Sequence, residues 1–351
     1  MPPARPVTER RAPGENLPAT GSRIPVHVLT GFLGSGKTTL LGRLLRSPDL
    51  ADTAVVVNEF GAVGLDHLLI ARGEEDDVFL LDNGCLCCSF EGGLGETLTK
   101  LFHRRARRDM PEFRRVVIET SGLADPGPIL HALMTDRFTA GRFAIGAVIA
   151  TVDAQHGLDQ IGRYRETGKQ IALADRIVLT KTDVAREAVS GIRARVRALN
   201  GQAEILEAVY GDIAADAILA PPEIARQAPG HIHAEAGPHE HHHHEIVAKA
   251  IHSQGIASVF VEVDKAVSWP AYAAFVRHCQ MRLGGRLLRV KGILDFEDGA
   301  KIIQGVERVF APPADFADAA ATRGLVFIGQ DLSAVAIEAA ADLLVAGTGS
   351  P

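Results

Sequence analysis

The residues best suited to chemistry begin at Gly31. Gly31-Phe32-Leu33-Gly34-Ser35-Gly36-Lys37-Thr38 fits the spacing G-x-x-x-x-G-K-S/T, with an apolar run before it (residues 25–30) and a helical pattern after it (residues 37–46). Glycines in that pattern let a loop close around phosphate and aim successive backbone N–H groups inward, and the following helix adds its positive end. Lys37 is expected to bridge the β- and γ-phosphates of a nucleoside triphosphate, and Thr38 to coordinate Mg²⁺ through its hydroxyl. A second strand, residues 115–119, ends on Glu119 and runs into Thr120-Ser121-Gly122. An acid there stands beside Mg²⁺ and the attacking water, on the metal directly or through water, and the Gly122 N–H can sense the γ-phosphate. A third strand, residues 176–179, leads into Thr180-Lys181-Thr182-Asp183. The Asp183 carboxylate can accept both guanine N1–H and N2–H, which adenine does not offer, so the nucleotide is read as GTP. The expected catalytic residues are Lys37, Glu119 and Gly122. The expected nucleotide contacts are Gly31, Gly34, Ser35, Gly36, Lys37, Thr38, Thr39, Lys181 and Asp183. The competing reading of each segment is a solvated strand end or a glycine-rich turn, and it is weakest for the first motif, which has a strand and a helix on its two sides.

Asn83-Gly84-Cys85-Leu86-Cys87-Cys88 packs three thiols into four residues beside a glycine turn. Soft thiolates so close favour Zn²⁺ or another thiophilic divalent ion. One short loop rarely supplies four tetrahedral ligands, so a further ligand comes from elsewhere, from water or from a client protein. An incomplete site suits a carrier better than a closed structural site. Buried small cysteines or a redox pair are the alternatives. Cys279, on the apolar side of a helical pattern, is expected in the core. Glu59, in Asn58-Glu59-Phe60-Gly61, is placed to reach Mg²⁺, the thiolate loop or neither. Seven of the fourteen histidines fall between His231 and His244, ending in His241-His242-His243-His244. Such a run offers imidazoles for loose metal capture, or is a linker with no metal role.

The elements that must position these residues follow a simple rhythm. Strands are expected over residues 25–30, 54–58, 78–81, 115–119, 145–152 and 176–180, with a helix over 93–108 carrying basic residues on its outer face. Val, Ile and Leu on consecutive strand positions, alternating with helical stretches, specify a mainly parallel sheet covered on both faces. The fold class is therefore α/β, a P-loop NTPase fold, with a smaller C-terminal α+β domain. Residues 1–23 read as a disordered arm, 24–220 as the nucleotide domain, 221–245 as a His-rich linker and 246–351 as the second domain. In that second domain strands are expected over 257–263, 287–296, 301–310 and 324–328, and helices over 269–282 and 333–345.

Bulk properties narrow the partners. With 37 Lys and Arg against 43 Asp and Glu, the net charge is −6, which argues against a general nucleic-acid binder. The longest apolar run, residues 143–152, is about half of a membrane span. Four cysteines, three of them clustered, suit a reducing compartment, and the expected location is the cytoplasm.

Taken together, these motifs resemble the CobW-type GTPases, metallochaperone-like relatives of HypB and UreG. The likeness covers nearly everything after Ile24. It rests on residues 29–39, on Asn58-Glu59-Phe60-Gly61, on the C-x-C-C loop and on Glu119-Thr120-Ser121-Gly122-Leu123-Ala124-Asp125-Pro126. Leu288-Arg289-Val290-Lys291-Gly292 and Gln304-Gly305-Val306 resemble the family's C-terminal domain. Thr180 stands where the strict guanine motif has Asn. The resemblance implies a GTPase that uses Mg²⁺, carries a metal on Cys85, Cys87 and Cys88, most often Zn²⁺, and delivers it to a client metalloenzyme. It also admits Co²⁺ for cobalamin synthesis, metal insertion into nitrile hydratase, or a nucleotide-gated regulator that senses metal. A P-loop kinase is the outside alternative, disfavoured by Asp183 and the thiolate loop.

Overall fold

The computed structural model describes residues 23–47, 50, 52–57, 67–71, 78–82, 93–220, 246–253, 255–317 and 321–345. Eight strands form the first sheet: β1 (Ile24–Gly31), β2 (Thr53–Val57), β3 (His67–Ala71), β4 (Val78–Asp82), β5 (Arg115–Glu119), β6 (Phe143–Asp153), β7 (Arg176–Thr180) and β8 (Glu204–Ala208). Their order is β4-β3-β2-β5-β1-β6-β7-β8. The six strands from β2 to β8 in that order are parallel, and β3 and β4 join as an antiparallel edge. Side chains alternate between two apolar layers, as strand geometry requires. Val55, Val117, Ile149 and Val178 face α1 (Lys37–Leu44) and α8 (Ala215–Leu219). Val56, Ile118, Ala150 and Ile177 face the other side, which carries α2 (Gly93–Arg107), α3 (Gly127–Thr135), α4 (Arg137–Arg142), α5 (Gly157–Arg163), α6 (Arg165–Leu173) and α7 (Val189–Leu199).

The C-terminal region is antiparallel. Its strands are β9 (Ile246–Ser253), β10 (Ile256–Glu262), β11 (Leu287–Phe296), β12 (Gly299–Val306), β13 (Val309–Phe310), β14 (Ala314–Asp315) and β15 (Gly324–Gln330), in the order β13-β12-β11-β15-β10-β9 with β14 beside β12. Helices α9 (Trp269–His278) and α10 (Ala334–Val345) cover one face, with Phe275 of α9 buried in the same core as Val290, Leu294 and Phe327 of the sheet. On the other face Phe260, Leu288, Val326 and Ile328 continue into the core of the first sheet's domain. The two sheets thus share buried apolar surface through α6 and α7. Cys279 is fully buried, and burial pushes its thiol up to about 12, so it is inert core.

Three expectations need correction. Arg105 is not on the outer face of α2: it is 9% exposed, donates from Nε to the Phe113 carbonyl at 2.8 Å and lies over the Phe113 ring. Its long apolar stem lets a basic residue fill a core position when its head finds an acceptor. The expected strand over 301–310 is two strands, because Glu307 turns with φ 51° between β12 and β13. The helix from Trp269 ends at His278 and passes into a π turn, Cys279–Leu283. Strands β3, β8, β9 and β14 were not expected from the sequence pattern.

Candidate functional site

The phosphate loop joins β1 to α1. Gly31, Gly34 and Gly36 have φ of 139°, 70° and 91°, values that β-carbon-bearing residues rarely adopt. A side chain at Gly31 would also strike the Thr151 hydroxyl on β6. That hydroxyl lies 2.6 Å from Ser35 Oγ and fixes the loop from beneath. Helix α1 begins at Gly36 with no side-chain cap, which leaves its first-turn N–H groups directed at the cleft for an anion. Lys37 folds back along the loop, its Nζ donating to the carbonyls of Gly31 at 2.9 Å and Phe32 at 3.1 Å.

The end of β5 supplies the opposing wall. Thr38 donates through Oγ1 to Glu119 Oε1 at 2.7 Å, across 81 residues of sequence. Thr120 is buried and donates to Thr30 Oγ1 at 2.9 Å, tying the start of the next loop to β1. Gly122 presses on the phosphate loop. A β-carbon there would lie 2.6 Å from Leu33 Cδ2 and 2.7 Å from Leu33 N, so this approach admits no side chain.

The third wall comes from β7. Thr180 is buried and donates through Oγ1 to the Ser35 carbonyl at 2.7 Å, so the hydroxyl that stands for Asn braces the phosphate loop directly. Lys181 takes φ 56°, and its Nζ reaches Asp153 Oδ2 at 2.7 Å and the Gly34 carbonyl at 2.9 Å. Asp153, buried at the end of β6, also accepts from the Gln155 N–H at 2.7 Å. Thr182 is buried and Asp183, next in the chain, is exposed. Leu33, Gly34, Gly36, Lys37, Thr38, Thr39, Glu119–Gly122 and Lys181 line one cleft of about 270 Å³.

Of the sequence-expected residues, the structure brings Gly34, Gly36, Lys37, Thr38, Thr39, Glu119, Gly122 and Lys181 to that cleft; Gly31 and Ser35 belong to the loop that forms it, and Asp183 is an exposed residue two positions beyond Lys181. Glu59, Cys85, Cys87, Cys88 and His241, His242, His243 and His244 lie outside the described residues. Among the described residues no group of three or more His, Cys, Asp or Glu is placed to hold a metal. The strand that precedes this thiolate motif in sequence, β4, is described. Ile118, Val56, Leu68 and Leu81 form one row across β5, β2, β3 and β4. One residue further in the same direction stand Glu119 and Asp82, so β4 ends on the cleft edge of the sheet, three strand spacings or about 14 Å from β5.

Sequence reasoning missed Asp153 and Thr151, and with them Gln170, which donates from Nε2 to the Gly122 carbonyl at 3.2 Å, and Lys169, which pairs with Asp125 at 2.5 Å. Asp153 carried a readable signal, an acid closing a long apolar strand, as Glu119 does. Thr151 and Gln170 carried none, since a buried hydroxyl and a helical amide acquire their roles only from tertiary neighbours.

A P-loop nucleotide-binding protein is defined by this fold and cleft. Residues 25–207 match the CobW/HypB/UreG nucleotide-binding domain, and residues 256–343 the cobalamin synthesis protein CobW C-terminal domain. The chain belongs to the CobW/HypB/UreG family. It is 33% identical to the zinc chaperone YjiA of Escherichia coli strain K12, over 90% of this chain and 97% of that one. It is 31% identical to the zinc chaperone CobW of Pseudomonas aeruginosa, over 91% and 90% of the two chains. The crystal structure of Zn(II)-bound YjiA GTPase from E. coli superposes with a TM-score of 0.65 at 30% identity, covering 92% of this chain and 99% of that one.

Proposed function

We propose that this protein is a GTP-hydrolysing metallochaperone that carries zinc on Cys85, Cys87 and Cys88 and passes it to a client metalloenzyme. The observation that carries the reading is the meeting of Lys37, Thr38, Glu119 and Gly122 in one cleft whose sheet edge also receives the end of β4. Two full-length relatives named zinc chaperones add the metal. The domain boundaries read from the sequence and a cytoplasmic location belong to the same proposal; no helix among the described residues is long and apolar enough to cross a membrane.

In this mechanism Lys37 exchanges its loop carbonyls for β- and γ-phosphate oxygens, and the first turn of α1 donates to the same anion. Thr38 and Glu119 present a hydroxyl and a carboxylate 2.7 Å apart, hard oxygen donors that fit Mg²⁺. Bound there, the ion would neutralise charge on the phosphates. Glu119 orients the attacking water, Gly122 donates its N–H to the γ-phosphate, and Asp183 with Lys181 reads the guanine. Loss of the γ-phosphate releases Gly122 and, with it, the segments along the same sheet edge. Zinc is cargo, held by thiolates at about 2.3 Å and freed when that edge relaxes. The histidine run, His241 to His244, serves as a loose second capture point.

The test separates cargo from nucleotide. Cys87→Ala is expected to weaken zinc binding at least about tenfold in a chelator competition, while GDP affinity stays within about twofold of the parent. A variant lacking all three loop thiols that binds zinc as tightly as the parent would move the cargo site to the histidines.

A further inference from the structure

Helix α6 carries none of the nucleotide motifs, yet it and its flanking residues contact the phosphate loop, the Gly122 loop and the C-terminal sheet. Tyr164, just before it, stacks on Phe32 of the phosphate loop with ring centres 4.4 Å apart. Midway along, Gln170 is 1% exposed and donates from Nε2 to the carbonyls of Gly122 at 3.2 Å and Ala124 at 3.0 Å. Its neighbour Lys169 pairs with Asp125 at 2.5 Å. At the far end the Leu173 carbonyl accepts from Arg289 of β11. Asp175, just beyond, pairs with Arg289 at 2.6 Å and Lys291 at 2.5 Å. The helix body packs against β11 and β15.

The consequence falls on Gly122. Its Cα is wedged against Leu33, and its carbonyl is fixed by Gln170. With its Cα position and carbonyl both set, and the Ala124 carbonyl held by the same amide, the loop following Ser121 is held in one orientation against the phosphate loop. Among the described residues, the buried Gln170 Oε1 has no hydrogen-bond partner. A buried acceptor left unsatisfied is unfavourable, and an apolar side chain of the same size would fill the space without that cost. The donor end therefore accounts for a carboxamide at this position.

We propose that Gln170 is a positioning residue for hydrolysis, holding the Gly122 loop in register with the phosphate loop, and that Arg289 and Lys291 hold α6 in place from the C-terminal sheet. The proposal rests on the reading that Gly122 faces the γ-phosphate. It gives the C-terminal sheet a direct mechanical hold on the hydrolytic loop, through one helix of nine residues.

Steady-state GTP turnover by the full-length protein tests it. Gln170→Leu keeps the volume and removes the donor. Its kcat is expected to fall about tenfold or more, with KM for GTP and Kd for GDP within about twofold of the parent, because phosphate loop and base motif are untouched. Unchanged kcat overturns the proposal, as does a loss of GDP affinity that parallels the loss of kcat, which would mark the amide as packing. Lys291→Met leaves Asp175 its Arg289 partner and the Val148 N–H. It is expected to lower kcat about threefold in the parent and not further in Gln170→Leu, the signature of one shared path. An equal loss in both backgrounds overturns the hold through α6. Parent turnover measured alongside distinguishes the two readings. A parent that binds GDP but releases no phosphate from GTP overturns the hydrolytic reading itself, whereas normal parent turnover with unaffected variants overturns this proposal alone.

Discussion

Lys37→Ala is expected to release phosphate from GTP at about a thousandth of the parent rate or less. Lys37 is 7% exposed, inside a loop whose backbone its Nζ spans by donating to Gly31 and Phe32. In the proposed GTP complex that fixed positive charge would face the bridging region of the triphosphate, where charge builds as the γ-phosphoryl leaves. Pre-oriented charges in a partly desolvated cleft are among the largest contributions to such reactions, and one donor commonly accounts for a factor of about 10² to 10³. Alanine removes both that charge and the internal brace on the loop. Phosphate release under saturating GTP checks the expectation, with GDP binding measured in parallel. A variant retaining a tenth of the parent rate would show that the lysine serves the loop more than the reaction.

The second large effect lies at the junction of the two sheets. Asp175 is buried and receives the Val148 N–H at 2.9 Å together with Arg289 and Lys291. Burial alone would raise its carboxyl, but the two cations overcome burial and hold it at about 2. Asp175→Ala would strand Lys291 and one amide, and leave Arg289 only the Leu173 carbonyl, in a buried interface, a loss of about 3–5 kcal/mol when one partner of a buried pair is removed. An exposed pair would cost about 0–1 kcal/mol, so urea unfolding discriminates clearly. The pH dependence follows from the sign of the shift. With a folded value near 2 and an unfolded value of about 3.9, the stabilisation is complete above pH about 4 and is lost as pH falls from there through 2. His27 acts earlier. Burial, then Arg115 and Arg176, lower it to about 4, and its Nδ1 must stay neutral to accept the Ala147 N–H. Below pH about 6.5 the unfolded chain takes up that proton first, so destabilisation sets in below 6.5, accumulates as pH falls to about 4 and is complete below that.

Much of this architecture was legible from local pattern. Runs such as Val116-Val117-Ile118 announce a strand covered on both faces, and Gly31 to Thr38 announces a phosphate loop, because each signal is carried by consecutive residues. What escaped was non-local. β3 and β8 are sheet-edge or near-edge strands whose pairing comes from a neighbour rather than from their own periodicity. Asp153 and Gln170 gain their roles by meeting Lys181 and Gly122 across 28 and 48 residues. Arg105 read as surface because charge predicts exposure, yet the Phe113 carbonyl gave its head a partner inside. Thr180 illustrates the opposite case: a departure from the strict motif that the fold turns into a brace on Ser35.

Coupling between the cleft and the cargo is the claim on which the proposed chaperone stands. It is tested most directly by zinc-competition titrations of the full-length protein loaded with a non-hydrolysable GTP analogue and with GDP. If the sheet edge that holds Gly122 also carries the sulfur loop, zinc affinity should differ between the two states by about 5- to 150-fold, tighter with the triphosphate, the usual range for linked sites. Identical affinities in the two states would contradict the account and leave a nucleotide hydrolase with an unrelated metal site.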